Sequence, residues 1–168
     1  MRTKSRHVFW GAALIALLSV TLLGSSTPAF TEQDDQFRGP KGSWLFTVTI
    51  PDFGTFQGVE TYSDDGGYSE ADQLSFIPGS VASAGHGAWK SIGARKFLLT
   101  YLNLTFDGFS TGTPTGTLKV RQTATIDRTG NSYSGSGDYT YFDLAGNSIL
   151  SGPFTITATR ILVEAPAK

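Results

Sequence analysis

From Gly42 onward the chain alternates between apolar and polar positions. In 42–50, GSWLFTVTI, Trp44, Phe46, Val48 and Ile50 share one parity, and Ser43, Thr47 and Thr49 the other. In 115–127, Leu118, Val120, Ala124 and Ile126 oppose Thr117, Lys119, Arg121, Thr123 and Thr125. In 147–162, Phe154, Ile156, Ala158 and Arg160 oppose Thr155, Thr157 and Thr159. A period of two is the pattern of a strand with one buried face. Eight runs of this kind, rich in β-branched and aromatic residues, are predicted as strands: 42–50, 56–63, 67–77, 86–92, 95–107, 115–127, 131–143 and 147–162. The run 95–107 is apolar on both faces, with Leu98, Leu102, Leu104 and Phe106 against Phe97, Leu99 and Tyr101. That predicts an outer cover, either the N-terminal segment or a partner chain.

Short links separate the later runs. DRTGN (127–131) and DLAGN (143–147) share the pattern Asp-x-x-Gly-Asn, and SDDGG (63–67) resembles them. An Asp side chain accepts hydrogen bonds from the backbone that follows it, and glycine adopts positive φ without a clash. Such links close antiparallel hairpins. They carry too few oxygens for a calcium site, which needs about six to eight. The small-residue stretches 78–85 and 108–114 are predicted as loops, some of which touch ligand when they lie at a barrel mouth.

Eight hairpin-linked strands form an up-and-down meander. Left open, it exposes two long edges; closed into an antiparallel barrel, it exposes none. A two-sheet sandwich is the alternative, but it calls for crossovers that these tight turns do not provide. Closure also explains one anomaly. Arg160 stands on the apolar face of the last strand, and a lone buried cation is costly. In a closed barrel the last strand pairs with the first, which places Arg160 beside Trp44. Its guanidinium can then stack on the indole and donate to carbonyls at the closed end.

Residues 1–29 have a different character. Arg2, Lys4 and Arg6 precede the apolar run 8–23, which is followed by the small residues and proline of GSSTPAF. Basic, apolar, then small is the order of a secretory signal, cleaved after Ala29 or after Ser26. The alternative is an uncleaved N-terminal anchor, the one predicted membrane attachment. The domain plan is therefore 1–29 signal, 30–41 flexible segment, 42–163 barrel and 164–168 tail, in an exported protein. Removing 1–29 leaves 10 Lys and Arg against 14 Asp and Glu, a formal charge of −4. Nucleic-acid binding, which relies on clustered cations, is not expected. The absence of cysteine excludes disulfides, thiol nucleophiles and thiolate metal sites.

Gly42-Ser43-Trp44 at the start of the first strand, with Arg160 late in the last, resembles the calycin superfamily of lipocalin-like eight-stranded barrels. The resemblance implies that Gly42, Trp44 and Arg160 close the barrel and that the interior holds a small apolar molecule. In shape, the chain is also similar to barrels of the allene oxide cyclase or dirigent type. That likeness implies an isomerase or cyclase working through cavity Tyr and Glu groups. A structural domain with a filled core is a further alternative.

Candidate chemistry is sparse. His86, between two glycines, is read as an exposed loop histidine rather than a general base. No Gly-x-Ser-x-Gly elbow, metal-ligand spacing or phosphate loop appears, so neither a metal nor a cofactor is expected. Glu60, Glu70, Asp72 and Asp138 are expected at the surface, where acidic residues mostly lie. The ligand-contact candidates are Tyr62, Trp89, Tyr101, Tyr139 and Tyr141, since such rings combine apolar area with one polar atom. Asn103-Leu104-Thr105 matches a glycosylation sequon, but its mid-strand position argues against use.

Overall fold

The computed structural model describes residues 39–77, 80–108 and 112–167. The predicted signal, residues 1–29, and most of the following segment lie outside these. All regular structure among the described residues is β: β1 (Gly42–Ile50), β2 (Gly54–Tyr62), β3 (Gly67–Asp72), β4 (Phe76–Ile77), β5 (Ser80–Ala82), β6 (Gly85–Gly93), β7 (Lys96–Phe106), β8 (Pro114–Ile126), β9 (Ser132–Asp143) and β10 (Ser148–Arg160). Eight of them close an antiparallel barrel in the order β1-β2-β3-β6-β7-β8-β9-β10, with β10 returning to β1.

The hairpin β4–β5 is an addition to the predicted meander. The run 67–77 is not one strand, because it breaks after Asp72. The Asp72 carboxylate accepts from the backbone N–H and hydroxyl of Ser75, both at 2.8 Å, and turns the chain. Nor is 78–85 wholly loop, since β5 pairs with the far end of β7 on the edge that β6 also occupies. β5 and β6 thus act as one interrupted strand along β7.

The links behave as their chemistry dictates. Asp127 accepts from the backbone of Asn131 and Ser132 and from the Thr129 hydroxyl. Asp143 accepts from the backbone of Ala145 and Asn147. Gly130 and Gly146 take φ of 75° and 85°, where a side chain would be strained. These donors hold the Asp127 carboxyl down at about 2 and the Asp143 carboxyl below the usual range.

Alternation sorts the faces. Trp44, Phe46, Val48, Val120, Ala124, Ile126, Phe154, Ile156 and Ala158 are buried in one core. On β7 the inward face is Phe97, Leu99, Tyr101, Asn103 and Thr105, while Leu102 and Leu104 are exposed among the described residues. β2 inverts simple expectation. Gly58, Glu60 and Tyr62 face inward, and the apolar Val59 faces out. The reason is register: Phe46 of β1 sits opposite Gly58, and its ring fills the space a side chain there would need.

Candidate functional site

The barrel has two unlike ends. At the base, Trp44 pairs directly with Arg160 across β1 and β10. The guanidinium lies over the indole at 4.1 Å and donates to the carbonyls of Gly130 (2.8 Å) and Lys41 (2.5 Å). Burial is the one influence lowering the Arg160 pKa. Gly42 is required twice over. Its φ is 103°, and a Cβ there would meet Arg160 Nη1 at 2.8 Å. The Trp44 indole donates to the Pro40 carbonyl at 2.6 Å. Trp89 lies against Gly39 from another side and donates to the Ser63 carbonyl at 3.0 Å. Both tryptophans therefore grip the same turn, Gly39–Lys41, at the foot of the barrel.

Above this plug lies a buried acid. Glu60 is 2% exposed. One carboxylate oxygen accepts from Tyr62 (3.2 Å) and Tyr68 (2.9 Å), and the other from Tyr133. Directly across β2 and β3 stands a second acid, Glu70, 4% exposed. It accepts from the Asn103 amide at 2.7 Å. Burial is the dominant influence on both, and it lifts each carboxyl to about 7 against the hydrogen bonds that oppose it. Burial likewise holds Tyr62, Tyr68, Tyr101 and Tyr133 well above the ordinary phenol value, so all four stay protonated. Surface placement of Glu60 and Glu70 is thus overturned. Their strands alternate through inward aromatic residues, Phe56 and Tyr62 on β2 and Tyr68 on β3, and the intervening positions must follow. That parity was the signal available in the sequence. Asp138 is at the surface, paired with Arg121 at 2.8 Å.

The upper half of the barrel encloses a cavity of about 380 Å³. Its wall is largely aliphatic and aromatic, including Phe46, Val48, Val120, Phe154 and Ile156. Tyr101, Tyr139 and Tyr141 line it; Tyr62 and Trp89 do not. Tyr62 is committed to Glu60 beneath the cavity, and Trp89 to the base. At the mouth, Phe53, Ile149 and Leu150 belong to both the wall and the exposed surface.

Asp72, expected at the surface, is half-buried and lines the wall, and three further polar wall residues went unread in the sequence as ligand contacts: Ser75, Asn103 and Gln122. Asn103 and Gln122 are 2% and 4% exposed. Asn103 Nδ2 donates to Glu70 and to the Ser83 carbonyl (2.9 Å), which fixes the amide's orientation and leaves Oδ1 without a partner among the described residues. Gln122 Nε2 and Glu70 Oε2 also lack partners there. Buried polar atoms are normally satisfied, so the adjoining Asn103 and Glu70, each with one unpartnered oxygen, set their corner apart from the base. Gln122 shares the parity of Val120 and Ala124, and that was its one signal. Asn103 drew notice only as a sequon, and its burial in the barrel interior bars that role.

His86 is exposed on β6. No group of His, Asp or Glu among the described residues is arranged to hold a metal ion. Comparison of the chain with known protein families, curated proteins and solved structures finds no match.

Proposed function

We propose that this is an exported, calycin-like barrel that binds one small apolar or amphipathic molecule in its upper half and performs no chemistry on it. The cavity carries this reading. Its volume of about 380 Å³ falls within the range of small-molecule sites, and its mostly apolar wall bears a few buried polar groups that can orient a ligand. The exposed Phe53, Ile149 and Leu150 supply an apolar entry. The closed eight-stranded meander and the Trp44–Arg160 stack support the calycin-like assignment.

A second reading, a barrel-type isomerase or cyclase, draws on Glu60 and Glu70. Carboxyls held near 7 exchange protons readily at neutral pH. Neither side chain lines the cavity, and both Glu60 oxygens are occupied by tyrosines. The binding reading is therefore preferred.

Native mass spectrometry of the protein from its host, with titration of the neutral dye Nile red, tests it. The expected result is a retained small molecule or saturable one-to-one dye binding, lost when Leu118→Trp fills the cavity. Absence of both a co-purifying molecule and dye binding overturns the proposal.

A further inference from the structure

The charges around the cavity are one-sided. Among the described residues no Lys, Arg or His lines the wall, and its one formally charged residue is Asp72. The described mouth turns PDF (51–53) and DLAGN (143–147), with Asp107 just beyond the end of β7, bring three aspartates and no basic residue. Basic residues gather at the other end: Lys41, Arg95, Lys96, Arg128 and Arg160 all lie at or beside the base turns.

The polar corner of the cavity has the same sign. Glu70 and Asp72 stand two residues apart on β3 and share its inward face. Asp72 adds to the burial effect in making Glu70 harder to ionise, so the two groups sense one another. Across from them is Asn103 of β7, whose donor atom is already used twice. On the wall itself Asn103 Oδ1 is left as an acceptor beside the Asp72 carboxylate, with Glu70 behind the wall, while the donor Gln122 Nε2 lies away from this corner, opposite Leu99. The corner is thus rich in acceptors and poor in donors.

We propose that the cavity selects amphiphiles with a cationic, donor-rich head, such as a primary amine on an apolar chain, and discriminates against carboxylates. This deepens the binding function proposed above and rests on it. An ammonium group brings three N–H donors and a positive charge to a corner that offers acceptors and negative charge. A carboxylate brings acceptors alone, and must shed its water beside Asp72 with no cation in the wall to balance it. An alcohol brings one donor and no charge, and falls between them. A bare metal ion does not fit, because the acidic side chains are not arranged as ligands to one.

The test is displacement of Nile red from the full chain at neutral pH by decylamine, decanol and decanoate. Decylamine is expected to displace the dye at a concentration at least about tenfold below decanoate, with decanol between, a margin suited to one uncompensated charge. Asp72→Asn, which retains the oxygen that accepts from Ser75, should narrow the amine-to-carboxylate ratio to about threefold while leaving decanol unchanged. If this variant fails to fold by circular dichroism, the wild-type ratio still decides. Leu118→Trp separates cavity binding from amine adsorption to the acidic surface, since only the former is lost. Equal or tighter binding of decanoate overturns the charge selectivity and leaves the binding function standing. Failure of Nile red to bind, together with the absence of a co-purifying molecule, overturns both.

Discussion

The base and the mouth of this barrel are built from the same kinds of strand and solve opposite problems. At the base, polar atoms brought inside find partners. Arg160 has an indole and two carbonyls, Glu60 has three phenols, and both tryptophan N–H groups reach carbonyls. Edge-to-face rings link Trp44, Tyr133, Phe97 and Tyr62 into one packed layer. Toward the mouth the same alternation leaves a cavity, unpartnered amide and carboxylate atoms, and exposed aliphatic rims. One sheet therefore divides its labour along the barrel axis. Stability is concentrated where packing is complete, and the capacity to bind lies where it is not.

That division makes graded predictions. The largest concerns Trp44, fully buried at the centre of the base. Trp44→Ala should lower stability to chemical denaturation by about 3–5 kcal/mol, as large aromatic truncations do. A loss below about 0.5 kcal/mol would place it at the surface and undo the contrast.

The buried acids come next. The Glu60 carboxyl rises from 4.5 to about 7 on folding, so the folded chain holds that proton more tightly than the unfolded chain. Its stabilising contribution is complete below pH 4.5, falls as pH rises toward 7, and is flat above. The span corresponds to about 3 kcal/mol. Glu70 acts in the same direction. Unfolding free energy should therefore drop between about pH 4.5 and pH 7, and Glu60→Gln should remove its share of the slope. A profile that is flat, or that rises, contradicts the burial of both carboxyls.

Arg160→Ala should cost about 2 kcal/mol through the lost stack and charge-assisted hydrogen bonds. Arg160→Lys should recover only part of this, because an ammonium lacks the planar fork. Leu118→Trp at the cavity wall should change stability by less than about 1.5 kcal/mol, since the added volume enters open space. It should still abolish dye binding. If it unfolds the protein, the upper half is as tightly packed as the base and the contrast fails. At the small end, Arg121→Ala breaks an exposed pair with Asp138 and should cost less than about 0.5 kcal/mol.

Sequence and structure meet at different depths in the two halves. The meander, its closure and the Asp-x-x-Gly-Asn turns were legible because each rests on local rules: a period of two, a turn carboxylate and a glycine at positive φ. The meeting of Trp44 with Arg160 was legible because an arginine on an apolar face needs an explanation and closure supplies one. Gly87-Ala88-Trp89 repeats the Gly-x-Trp spacing of Gly42-Ser43-Trp44. Only the fold distinguishes them, stacking Arg160 on the fully buried Trp44 and leaving Trp89 half-buried against Gly39 and Tyr62.

The cavity was far less legible. Of five aromatic candidates, Tyr101, Tyr139 and Tyr141 reach its wall, while Tyr62 and Trp89 are engaged lower down. Depth along the barrel axis depends on strand register and stagger, which period-two alternation does not encode. The sequence by itself determined which elements form, how they join and which parity points inward on strands with a clear apolar face. Parity hinted that Glu60, Glu70 and Gln122 face inward, but the tertiary structure decided that they and Asn103 are buried there. It alone set Glu70 opposite Glu60 and beside Asn103, and it alone left space above the aromatic plug. Local patterns specify faces. Only the relative placement of eight strands specifies what a face surrounds.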